Sequence, residues 1–329
     1  MLYANLGRSG LKISRLCLGT MNFGWHTTEK EAFRIMDAAL DAGINLFDTA
    51  NSYGGTKEQR GLTEELIGRW FVKGKSRRER VVLATKVYGT MPDSHDGPNA
   101  PAGLSAFKIR RHVEASLRRL RTDHIELYQM HHIDERVSWS ELWETFAALI
   151  QQGKIVYVGS SNFAAWHLVQ AQEAAKSRGL FGLASEQHKY NLMCRLPELE
   201  VLPAADSLGL ALLAYSPLQG GLLGTPTPNK ATGVRRLHEV SQKDAEDSSV
   251  RLTSYSTFCK ELGEGESSVA LAWLLANPRV AAPIIGPRTF EQFQSSLRAL
   301  ETKLDESALT KLDEIFPGPG GAAPKAYAW

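Results

Sequence analysis

Residues 44–54 read Ile44-Asn45-Leu46-Phe47-Asp48-Thr49-Ala50-Asn51-Ser52-Tyr53-Gly54. An apolar strand core stops abruptly at an acid, and a phenol follows in the next turn of chain. The same break recurs twice. Val81-Val82-Leu83-Ala84-Thr85 ends on Lys86, and Ile125-Glu126-Leu127-Tyr128-Gln129-Met130 ends on His131. In a β/α barrel all strands point one way, so the C-terminal ends of consecutive strands gather on one face, where barrel chemistry sits. An acid, a phenol, an amine and an imidazole on that face suit proton transfer better than packing.

Outward from these breaks, strand and helix patterns alternate almost from end to end. Strand cores fall at residues 16–18, 45–47, 81–85, 125–130, 155–158, 183–185, 210–214 and 282–285. Helix-period segments lie between them at 29–42, 105–120, 138–152, 164–177, 267–276 and 289–299. In the first of these, Ala32, Ile35, Met36, Ala39 and Leu40 share one stripe, and Gly43 ends it as a cap. Eight strands alternating with helices, without a break in composition, predict an α/β fold: a (β/α)8 TIM barrel. A doubly wound sheet would carry GxGxxG after its first strand; neither that nor GxxxxGK[ST] occurs. Residues 2–13 predict an N-terminal β-hairpin covering the barrel bottom. Residues 1–316 read as one barrel domain and 317–329 as a Gly/Pro-rich tail. Two βα connections, 88–103 after the third strand and 216–265 after the seventh, are too long for simple turns and are candidate lids or specificity loops.

Bulk properties exclude several classes. In 329 residues, 38 basic side chains nearly balance 36 acidic ones, which argues against nucleic acid or a membrane surface as partner. Arg77, Arg78 and Arg80 read as a solvated loop. Cys17, Cys194 and Cys259 are few and far apart, so they define no disulfide framework and fit a reducing compartment. With no leader pattern and no apolar run near the ~18 residues of a membrane span, the expectation is a cytoplasmic protein. His131 and His132, adjacent on an extended segment, should point to opposite sides, so no metal site is expected.

Lys86 bears directly on Tyr53. A free phenol titrates near pH 10, too high to exchange protons efficiently at neutrality. A cation ~4 Å away at an effective dielectric of ~20 favours the phenolate by about 4 kcal/mol, roughly a thousandfold in acidity. Asp48 can hold the ammonium, and His131 can bond the same carbonyl oxygen. Trp25, Tyr53, Tyr88, His131 and His132 are candidate pocket residues.

These blocks resemble the aldo-keto reductase superfamily. The match runs through Asn45-Leu46-Phe47-Asp48-Thr49-Ala50 with Tyr53-Gly54, Leu83-Ala84-Thr85-Lys86-Val87, and Glu126-Leu127-Tyr128-Gln129-Met130-His131. It continues in Val158-Gly159-Ser160-Ser161-Asn162-Phe163, Tyr190-Asn191-Leu192, Tyr215-Ser216-Pro217-Leu218 and Ile285-Gly286-Pro287-Arg288-Thr289. The resemblance implies a catalytic tetrad of Asp48, Tyr53, Lys86 and His131 with tyrosine as general acid, and NADPH/NADP+ as cofactor. It implies that Ser161, Asn162 and Gln187 bond the carboxamide and that Tyr215 stacks on the nicotinamide. It implies that Gly19, Thr20, Met21, Asp48, Ser216, Pro217, Leu218, Gly220 and Gly286 line the cofactor channel. By the same resemblance Arg288 matches the residue that meets the 2′-phosphate and Gln292 an adenine contact, while Ser296 stands where relatives often carry an adenine-contacting Asn. Lys189 replaces a common acid. The seventh loop lacks the usual Gly-Lys-Tyr, and Lys230, Arg235 and Arg236 are the candidates to replace its lysine. The implied reaction is reduction of a small-molecule carbonyl to an alcohol. Thr63–Phe71, His131–Asp134 and Pro197–Ala205 are similar to the bacterial branch with nucleotide-hexose 2,3-enoyl reductases, which leaves a deoxysugar reductase as an alternative. A non-catalytic, cofactor-binding regulatory subunit is another.

Overall fold

The computed structural model describes residues 1–74, 76–92, 95–224 and 242–324. The chain runs β1 (Tyr3–Asn5), β2 (Lys12–Ser14), β3 (Cys17–Gly19), α1 (Glu29–Asp41), β4 (Leu46–Asp48), α2 (Leu62–Lys73) and β5 (Val82–Val87). It continues α3 (Ala106–Leu120), β6 (Ile125–Met130), α4 (Trp139–Gln151), β7 (Ile155–Ser161), α5 (Ala165–Lys176) and β8 (Leu183–Lys189). Then come α6 (Val201–Ser207), β9 (Ala211–Tyr215), α7 (Gln242–Glu261), α8 (Glu266–Ala276), β10 (Val280–Ile285), α9 (Phe290–Leu297) and α10 (Glu306–Ile315).

Strands β3 to β10 close into a parallel barrel in chain order, with β10 pairing β3. The predicted (β/α)8 architecture is the observed one. Hydroxyl or carboxylate side chains of Thr28, Ser105, Ser138, Thr289 and Asp305 accept from backbone N–H groups and start α1, α3, α4, α9 and α10. Strand alternation splits the apolar residues into two sets. Phe47, Leu83, Tyr128 and Val158 pack outward with the helices. Leu46, Ala84, Leu127 and Leu213 fill the inside with Leu6 and Ile13 of the hairpin. That hairpin, β1 against β2, plugs the N-terminal end as expected. Gly7 lies so close there that a Cβ would meet the carbonyl oxygens of Ala184 and Gly209 at 2.6 Å.

Three expectations change. The seventh connection is not all loop, because Gln242–Glu261 within it is α7; Lys230, Arg235 and Arg236 lie outside the described residues. The third connection is bonded to the wall through its described C-terminal half. The Asp96 carboxylate, 4% exposed, accepts from Arg111 Nε at 3.0 Å and meets His112 Nε2 at 2.9 Å. Leu104 N donates to Asp134 Oδ2 at 2.9 Å. The arginines before β5 are structural, not merely solvated: Arg78 Nη2 reaches both Glu126 carboxylate oxygens at 3.0 Å, and Arg77 Nη2 bonds Asp37 Oδ2 at 2.9 Å. Among the described residues no helix is long and apolar enough to cross a membrane.

Candidate active site

The same alternation builds the site. Leu46, Ala84 and Leu127 point inward, so Asp48, Lys86 and Gln129, two residues further on, point inward one layer above them. Parallel register sets Asp48 beside Ala84 and Lys86 beside Gln129. Lys86 is fully buried, and its ammonium donates to Asp48 Oδ2 at 2.6 Å, Thr49 O at 2.9 Å and Tyr53 Oη at 3.1 Å. Burial by itself would lower the Lys86 ammonium, but the charges of Asp48 and Tyr53 and their hydrogen bonds outweigh it and hold it above its ordinary value. The other oxygen of Asp48 accepts from Gln187 Nε2 at 2.8 Å and Gln129 Nε2 at 3.1 Å. This carboxylate therefore has its charge paired and both oxygens bonded in a dry site.

His131 completes the group. Its ring lies 6.0 Å from that of Tyr53, edge to face. Burial first, then the charges of Lys86 and His132, pull its imidazolium well below the ordinary histidine value. The ring is thus neutral at pH 7 and offers one N–H donor. The structure corrects one local expectation. β6 ends at Met130 and the chain bends, so the His131 and His132 rings stack at 5.2 Å with planes 11° apart instead of diverging. Among the described residues no three His, Cys, Asp or Glu side chains gather as a metal site.

Beside His131 opens a cavity of about 550 Å³, lined by Tyr88, His132, Ser52, Arg60 and Lys57 among others. Tyr88 and His132 pack edge to face at 5.2 Å. Trp25 is not in this lining: it is 50% exposed, and a Cβ on Gly55 would meet its ring at 2.9 Å, so it buttresses the turn outside the cavity.

Of the residues implied for cofactor binding, Ser161, Gln187 and Tyr215 stand toward the C-terminal ends of β7, β8 and β9, while Arg288 precedes α9 and Gln292 and Ser296 lie on it. Asn162, at φ +61°, donates to Ser161 Oγ at 3.0 Å and His131 O at 3.2 Å, and accepts from Tyr215 Oη at 2.7 Å. Gln187 uses its Nε2 on Asp48 and Gln129, so its Oε1 has no partner among the described residues. Ser216, Gln219, Gly220 and Gly221 all have positive φ, coiling the segment after Pro217 and Leu218 tightly over the end of β9. Asn22 Nδ2 donates to Gly286 O at 2.8 Å and Thr27 Oγ1 to Arg288 O at 3.0 Å, which ties the segment near Gly19, Thr20 and Met21 to the start of α9. Gln292 Oε1 accepts from Arg288 N at 2.8 Å. Ser296 is turned inward, 6% exposed, with its hydroxyl on Gln292 O at 2.9 Å.

Sequence reading missed Gln129, Lys57, Arg60 and the Asp96–His112 pair. Gln129 had a signal, since it is a polar residue on the inward parity of an apolar strand. Asn51 Nδ2 meets His112 Nδ1 at 3.1 Å, which links the turn carrying Tyr53 to the third connection; nothing in the local sequence marks that contact.

A family model for the aldo/keto reductase family matches residues 15–316. The chain is 58% identical over 329 residues, the whole of both chains, to the uncharacterized oxidoreductase YrpG of Bacillus subtilis. It is 30% identical to Protein tas of Escherichia coli, covering 97% of this chain and all of that one. It is 29% identical to versiconal hemiacetal acetate reductase of Aspergillus parasiticus, covering 96% and 97%. With a closed eight-stranded barrel, an Asp–Lys–Tyr cluster at its C-terminal rim and a match across nearly the whole length, the chain belongs to the aldo/keto reductase family.

Proposed function

We propose that the protein is an NADPH-dependent reductase of small-molecule aldehydes and ketones in the cytoplasm, with Tyr53 as general acid. The observation that carries this is the Lys86 ammonium shared between Asp48 at 2.6 Å and Tyr53 Oη at 3.1 Å. Bound NADPH supplies the hydride. Tyr53 donates its proton to the carbonyl oxygen, and Lys86 stabilises the negative charge left on the phenol oxygen. Asp48 keeps Lys86 charged and in place. Neutral His131 donates a hydrogen bond to the same carbonyl oxygen and orients it. The donor set at the rim fits the nicotinamide: Gln187 Oε1 offers an acceptor, Ser161 and Asn162 offer polar groups for the carboxamide, and the half-buried Tyr215 ring offers a stacking face. Arg288 supplies a guanidinium suited to a 2′-phosphate.

Purified protein should oxidise NADPH in the presence of a reactive aromatic aldehyde. Tyr53→Phe should lower kcat by about 10²–10⁴-fold while NADPH affinity, read by fluorescence, stays within about twofold. An unchanged rate would remove Tyr53 from its role. A nucleotide-linked deoxysugar reductase is the second reading, favoured by the Thr63–Phe71 and Pro197–Ala205 blocks. Turnover of a nucleotide-linked keto sugar with little on simple aldehydes would select it. NADPH binding with no turnover of either would point to the regulatory subunit.

A further inference from the structure

The cavity beside His131 is not evenly charged. Tyr88 and His131, both partly buried, and the exposed His132 give it an aromatic wall. Its mouth is formed partly by Lys57 and Arg60, from the turn between β4 and α2. Arg60 Nη1 donates to Thr90 O at 2.7 Å, which anchors the guanidinium across the mouth onto the opposite loop. Among the described residues neither Lys57 nor Arg60 forms an ion pair with a carboxylate. Arg136, which donates to the carbonyl of the lining residue Ala102, is already paired with Asp134 at 2.9 Å. Glu58 shares the mouth; hydrogen bonds from the Thr56 hydroxyl and its own backbone N–H, and then the charges of Lys57 and Arg60, hold its carboxylate below the usual carboxylate range. Among the described lining residues at the mouth, two positive charges stand against one negative, and one of the positive groups, Arg60, is already bonded to the opposite loop.

We propose that this mouth is an anion subsite, and that the substrate is an aldehyde or ketone whose distal end carries a carboxylate or phosphate held by Arg60 and Lys57. The carbonyl lies at the His131 end and an apolar body spans Tyr88 and His132. A planar guanidinium can take either anion bidentately, and a cavity of about 550 Å³ holds a ligand of one ring and two substituents. This assignment rests on the reductase reading above.

The test uses a matched series: benzaldehyde, 4-carboxybenzaldehyde and 4-formylphenyl phosphate, with the full chain and saturating NADPH. Wild type should show a KM for the better anion about 10-fold below that for benzaldehyde, the effect of one charge-assisted contact. That preference should shrink as salt rises. Arg60→Gln keeps a donor for Thr90 O but removes the charge, and should cut the anion-to-neutral preference about 10-fold; Lys57→Gln should cut it less. Whichever anion binds better identifies carboxylate or phosphate as the recognised group. Equal KM values across the series, or a preference unchanged in Arg60→Gln, would overturn the proposal. If none of the three is turned over, the reductase reading has failed separately. The subsite is then read by calorimetry with benzoate and phenyl phosphate: binding lost in Arg60→Gln supports it, and no binding to wild type overturns it.

Discussion

At the scale of the residue, the site is a problem of burying charge. Lys86 is fully buried and Asp48 is 2% exposed. Such a pair is tolerable only because every oxygen of the carboxylate and three acceptors around the ammonium are used. Asp48→Asn should therefore leave an uncompensated ammonium in a dry site and cost about 3–5 kcal/mol of stability by urea denaturation. A loss below about 1 kcal/mol would mean that water reaches Lys86. A second outcome concerns the cofactor: Arg288→Ala should weaken NADPH binding by about 10-fold, the worth of one charged contact, and NADH binding far less. Equal losses would deny Arg288 the 2′-phosphate. Asp48, Tyr53, Lys86 and His131 were legible because each stands at or just after the break of an apolar strand. Gln129 sits inside such a strand, where its inward parity was the only signal. Lys57 and Arg60 were hidden in a polar turn, where charge is the ordinary condition of surface chain.

At the scale of the element, a helix can escape a periodic reading when it buries a charge on its docking face. α2 is the example. It buries Glu64, which accepts from Thr85 Oγ1 at 2.6 Å and Arg119 Nε at 2.8 Å, so a charge sits where the periodic pattern expects an apolar side chain. The helix also approaches α3 so closely that a Cβ on Gly68 would stand 2.1 Å from Arg119 O. Gly68→Ala should overpack that crossing and cost at least roughly 1–3 kcal/mol, seen as a lower Tm; no change would mean that α2 can slide. The third βα loop teaches the same lesson. Its Pro, Gly, Asp and Asn composition reads as a lid, yet Asp96 is buried against Arg111 and His112. Composition reports solvation preference, and it is silent on a carboxylate that finds its partners on the next helix.

At the scale of the molecule, burial makes several histidines harder to protonate. Burial is the largest cause for His131, His112 and His132, and each lies below the ordinary value of 6.5. Their folded values are depressed, so between about pH 6.5 and the folded values the unfolded chain binds more protons. Stability from these groups is present above pH 6.5 and is lost as pH falls below it. The Tm should fall between about pH 6.5 and 5, and fall less steeply in His131→Gln; identical slopes would mean that His131 does not carry the effect. The sequence by itself determined the alternation, the eight strands, the hairpin and the parity that aims Asp48 and Lys86 inward, because these are local matters of period and of where apolar runs stop. Only the tertiary structure decided that Gln187 reaches Asp48 across 139 residues, that the His131 and His132 rings stack, and that Lys57 and Arg60 face the cavity. Those contacts depend on how a ring of strands closes and how its loops pack. Many distant segments must agree on that packing together, and no short stretch of residues encodes it.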